Sequence, residues 1–65
     1  MIANIPPSVG EVKVGSLFVD AYFQKELVVI FYVSPSSYSV RVLNADGSTK
    51  LWDFDAFRFC FRRVM

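Results

Sequence analysis

Sixty-five residues, 54% hydrophobic, 17% aromatic and 20% charged, suffice for one small core and are too apolar for a disordered chain. A formal net charge of +1 projects no field strong enough to mark nucleic acid or an anionic membrane as the partner. With one cysteine, Cys60, and no histidine, neither an internal disulfide nor a compact zinc site can be built; aromatic packing and self-association remain as means of stabilisation.

Residues 1–11, with Pro6, Pro7, Ser8 and Gly10 and no sustained period, read as an extended N-terminal arm. A single domain is expected over 12–65. Ser16 to Asp20 is β-prone and bounded by Gly15, and Val12 to Val14 is a weaker candidate before it. After a connection over 21–25, Glu26 to Val33 is a run of β-branched and aromatic residues whose length favours a strand. Ser34 to Ser37 is a turn around Pro35. In the next strand Tyr38, Val40 and Val42 share one face, and Ser39 and Arg41 the other. Asn44 to Gly47 tolerates positive φ and, with Ser48 to Trp52, completes a hairpin. Asp53 can cap one helical turn through Phe57, and Arg58 to Arg62 alternates as a closing strand, with Phe59 and Phe61 on one face.

This order of elements resembles the SH3-like barrel. It is carried by Gly15-Ser16-Leu17-Phe18-Val19, Leu27 to Val33, Val40-Arg41-Val42, Asn44 to Gly47, Trp52 and Asp53 to Val64. The resemblance implies an all-β, five-stranded small barrel with one short 3-10 turn before the last strand. In length and style the chain is also similar to small accessory proteins encoded by bacteriophages. That likeness implies an inhibitor or modulator that docks on a host protein, such as a defence or nucleic-acid-processing complex, in the cytoplasm of a bacterial cell.

Without histidine, no Ser-His or Cys-His nucleophile can be assembled, so no enzyme is expected. The adjacent carboxylates Asp53 and Asp55 read as a helix cap and a surface charge, and Cys60 as a small core filler. Gly10, Gly15 and Gly47 stand singly, so no phosphate-binding loop, cofactor or metal site is indicated. The longest apolar run, Leu27 to Val33, is too short to cross a bilayer, and the N-terminus lacks a signal-peptide pattern; a soluble cytoplasmic protein is expected.

The strand from Leu27 to Val33 is apolar on both faces, with Leu27, Val29, Phe31 and Val33 on one and Val28, Ile30 and Tyr32 on the other. One of these faces exceeds what a small core can bury. It must be covered by the arm, by a second copy or by a target protein. The expected partner-binding set is Phe23, Val28, Ile30, Tyr32 and Trp52 as apolar anchors, with Arg41, Arg58 and Arg62 orienting the partner. An alternative is single-stranded nucleic-acid binding, in which Arg41, Arg58, Arg62 and Arg63 take phosphates and aromatic rings take bases.

Overall fold

The protein is described over residues 5–64 by a computed structural model. Strands β1 (Leu17–Asp20), β2 (Leu27–Ser34), β3 (Ser39–Asn44), β4 (Thr49–Asp53) and β5 (Phe61–Arg63) form one antiparallel sheet. Its order is β4-β3-β2-β1-β5, and the helix α1 (Phe54–Cys60) lies between β4 and β5 in the chain. Phe18, Val28, Ile30, Val40 and Val42 cover the inner face of the sheet and pack with Phe54, Phe57 and Phe61.

The sheet does not close into the barrel expected from the element order. β4 and β5 remain its two edges and meet through side chains alone. Trp52 of β4 lies edge-to-face on Phe61 of β5 at 5.2 Å between ring centroids. Phe57 fills the gap between them, stacked on Phe61 at 4.6 Å, edge-on to Phe18 at 5.1 Å and fully buried. The reason lies in α1. β4 runs directly into it, with Asp53 both ending the strand and capping the helix by accepting the Ala56 N–H at 3.2 Å.

The single 3-10 turn expected near residues 53–57 is therefore a seven-residue α-helix, and the strand expected over 58–62 shrinks to 61–63. Phe54, Phe57 and Phe61 follow a helical i, i+3, i+7 spacing into the core, while Phe59 points to solvent. Arg62 reinforces the helix end, where its Nη1 donates to the carbonyls of Arg58, Phe59 and Phe61 at 2.9–3.2 Å. The alternating pattern that favoured a longer closing strand was outweighed by the burial available on one helical face.

A second departure concerns β2. Its register against β3 shifts between Ile30 and Tyr32, so Ile30 faces Val42 and Tyr32 faces Arg41, with Phe31 as the extra, bulged residue. The bulge reverses the phase of alternation. Val28, Ile30 and Val33 belong to the core side, whereas Leu27, Val29, Phe31 and Tyr32 are exposed.

Between residues 5 and 16 no strand forms. The extended arm expected there contains a 3-10 turn at Val9–Glu11, in which the Glu11 carboxylate accepts from the Ser8 N–H and hydroxyl, each at 3.0 Å. The weaker strand candidate at 12–14 forms no strand; Val14 and Gly15, the latter at φ +92°, make a turn in which the Ser16 N–H donates to the Lys13 carbonyl at 3.1 Å. Tyr38, expected beside Val40 and Val42, instead sits in the β2–β3 turn at φ +51° and stacks on Phe54 at 4.9 Å.

Replacing Phe57 with alanine should cost about 3–5 kcal/mol, comparable to the whole stability of a chain this size. Replacing exposed Phe59 should change stability by less than about 0.5 kcal/mol. Urea denaturation followed by far-UV circular dichroism compares the two; equal effects would contradict the helical phase of α1.

Candidate binding surfaces

Three surface regions surround this frame, and the first is built by a single carboxylate. Asp20 ends β1 with its side chain turned back into the following loop. Oδ2 accepts the N–H groups of Phe23 and Gln24 at 2.6 and 3.1 Å, and Oδ1 accepts those of Lys25 and Glu26 at 2.7 and 2.8 Å. Four backbone donors on one carboxylate fix the path of the chain over residues 21–26. The Ala21 N–H adds a tie to the Cys60 carbonyl at 2.8 Å. These donors, with the Glu26 and Phe23 N–H groups foremost, lower the Asp20 carboxyl from 3.8 to about 2. On this loop Tyr22 and Phe23 are each 77% exposed.

Beside the loop lies an open groove of about 430 Å³. Lys25, Glu26 and Leu27 form one wall, the hairpin tip Asn44–Asp46 another, and Lys50, Trp52 and Phe61 complete the lining. The Lys50 ammonium sits 4.4 Å from the centroid of the Trp52 ring, as a cation–π pair. The hairpin wall is also fixed locally: Gly47 adopts φ +90°, and Asp46 accepts the Ser48 N–H and hydroxyl at 2.9 and 2.6 Å.

The third region is the outer face of the sheet. Cross-strand pairing aligns Leu17, Val29, Leu43 and Thr49 in one row and Tyr32, Arg41 and Leu51 in the next. Leu27, Val29, Phe31, Tyr32, Leu43 and Leu51 are all exposed, Leu51 by 55%. The arm from Ile5 to Ser8 lies elsewhere. Pro7 is buried, its carbonyl accepts from Arg58 Nε at 2.9 Å, and Ile5, Pro6 and Pro7 line a cleft with Glu11, Arg63 and Val64. Residues 1–4 of the expected arm fall outside the described residues.

The residues expected to bind a partner are thus dispersed. Phe23 is on the loop, Trp52 is half-buried at the groove, and Tyr32 and Arg41 stand on the outer sheet face. Val28 and Ile30 are 2% and 0% exposed and so cannot anchor a partner; the β2 bulge left Tyr32 outside while both of them stayed in. Leu51 looks outward and its neighbour Trp52 inward. Arg58 pairs with Asp55 at 3.2 Å, Arg62 binds the carbonyls at the end of α1, and Arg63 lies 3.8 Å from Glu11. These three arginines do not gather with Arg41.

Asp55 also accepts the Tyr38 hydroxyl at 2.9 Å, and that bond raises the phenol above its ordinary 10. Cys60 is half-buried against the core. No helix among the described residues is long and apolar enough to cross a membrane. Sequence reasoning missed Asp20 as the organiser of the loop and Leu43 as an outer-face residue, and left open which of Leu51 and Trp52 looks outward. An aspartate ending a β-prone run before a non-β segment was the available sign of the first.

Because the Asp20 carboxyl titrates lower in the folded state than in the unfolded one, its stabilisation is present above about pH 4 and is lost as pH falls towards 2. Asp20→Asn, which keeps one acceptor oxygen of two, should lower the urea midpoint clearly at pH 6 and by much less at pH 2.5. A gap that stays constant between the two pH values would show that the carboxylate does not hold the loop. Comparisons with protein-family models, with curated proteins and with solved structures found no match for this chain.

Proposed function

We propose that this chain is a non-enzymatic protein-binding module whose recognition site is the Asp20-clamped loop together with the groove beside it. The observation that carries this reading is the pair Tyr22 and Phe23, two large rings left almost wholly in solvent on a backbone that four hydrogen bonds hold in place. Exposed aromatics on a mobile loop would lose conformational entropy on docking. On a pre-organised loop much of that cost is already met in folding. Trp52, Leu27 and Phe61 offer an apolar floor for the side chains of a partner, and Lys25, Lys50, Glu26 and Asp46 a rim of mixed charge.

The overall frame keeps the element order of an SH3-like barrel, opened between β4 and β5. Joined to the likeness in length and style to phage accessory proteins, the loop and groove fit an inhibitor or modulator that works by occupying a surface on a host protein. Single-stranded nucleic-acid binding is less well supported, since Arg58, Arg62 and Arg63 are engaged with Asp55, helix carbonyls and Glu11.

Immobilised protein offered nuclease-treated bacterial lysate should retain a protein partner. Tyr22→Ser/Phe23→Ser should weaken that retention about 30-fold or more, given hot-spot contributions of about 2 kcal/mol for such rings. Unchanged capture by the double variant would remove the loop from the site; retention that disappears with nuclease treatment would favour the nucleic-acid reading.

A further inference from the structure

The outer sheet face is separate from the loop and groove, apart from Leu27, which borders both. We propose that it is the interface of a homodimer, formed when two copies pack their sheets face to face about a two-fold axis. Leu27, Val29, Phe31, Tyr32, Leu43 and Leu51 form a patch spread over three adjacent strands. Their exposed area is on the order of 500 Å², in the range of the largest patch on a typical monomer, and such patches are often functional. With the flanking side chains of Leu17, Arg41 and Thr49 it approaches the roughly 800 Å² per partner that stable interfaces bury. The whole described molecule exposes 4354 Å², so the patch is a substantial part of its surface.

A second copy can accommodate the one cation of the patch. Arg41 lies within the patch, with Tyr32 and Leu51 as its cross-strand neighbours, and neither is acidic. A second copy needs no carboxylate to receive it, because the same face carries Phe31 and Tyr32, whose rings accept a guanidinium in a cation–π contact. A two-fold axis through the patch places each Arg41 near the aromatics of the other copy, so the surface is complementary to itself. The net charge of +1 adds almost no repulsion between copies.

Chain length points the same way. With one cysteine and no histidine in 65 residues, association remains open as a source of stability beyond the aromatic core. The described part of the arm, which was a candidate cover for this face, is packed against Arg58 and Arg63 instead.

Sedimentation velocity from about 1 to 200 µM, in low and high salt, tests the proposal. The expected result is a dimer mass at the upper concentrations that persists in high salt, as an apolar interface without ion pairs should. Leu43→Lys/Leu51→Lys should raise the dissociation constant at least about 100-fold by placing unpaired charge in the interface. If that variant loses its β-sheet circular dichroism, the milder Leu51→Ser should still weaken association about tenfold. Tyr22→Ser/Phe23→Ser should remain dimeric, which separates this interface from the proposed recognition site. A wild-type chain that is monomeric throughout, or folded face variants that dimerise as tightly as the parent, would overturn the proposal.

Discussion

Phe57 stands where the two edges of the sheet come closest without hydrogen bonding to each other. Its ring touches Phe18 from β1, Phe61 from β5 and Trp52 from β4 at centroid distances of 5.1, 4.6 and 6.4 Å, so it joins the first, fourth and fifth strands. A backbone ladder between β4 and β5 would have done this by hydrogen bonding. Here buried aromatic area does it, through a helix that β4 enters directly from Asp53. The placement of α1, the short length of β5 and the inward turn of Trp52 all follow from that cluster.

A sheet has two faces, and among the described residues α1 is the α-helix that packs on one of them. α1, with its two buried phenylalanines Phe54 and Phe57, goes to the inner side together with Phe61 of β5, and the outer side is left as it was made. Which residues appear there depends on the extra residue in β2. Without the shift at Phe31, strict alternation along β2 would place Tyr32 on the same side as Val28 and Ile30, and Val33 on the side of Val29. With it, two aromatic rings are exposed beside Arg41 and a valine is drawn inward.

Charged side chains act mainly as local clamps. Asp20 ties the loop, Asp53 starts α1, Arg62 ends it, Asp46 closes the hairpin, and Arg58 holds both Asp55 and the arm. In a domain with so small an interior these bonds define the turns that burial alone would leave loose. Arg58, Arg62 and Arg63 are tied up in this way, whereas Arg41 stands on the outer sheet face opposite Tyr32. Tyr22, Phe23, Phe31 and Tyr32 leave their rings exposed.

Much of the sheet could be read from the amino-acid sequence. Strands read at 16–20, 26–33, 38–43 and 48–52 lie within one residue of those observed at 17–20, 27–34, 39–44 and 49–53; they, the Asn44–Gly47 hairpin and the capping role of Asp53 are local matters, set by β-branched runs, turn residues and a side chain reaching three residues ahead. The apolar excess was legible as well, since it is a count set against chain length. The side on which it would emerge was not. Alternation assigns faces only while the register is unbroken, and the bulge that breaks it at Phe31 arises from pairing with β3, which no single strand encodes. The segment from Arg58 to Cys60 read as the start of an alternating strand, although its residues fit a helical stripe equally well. Packing of Phe54, Phe57 and Phe61 against a core assembled from distant parts of the chain chose the helix, and the sheet keeps β4 and β5 as free edges.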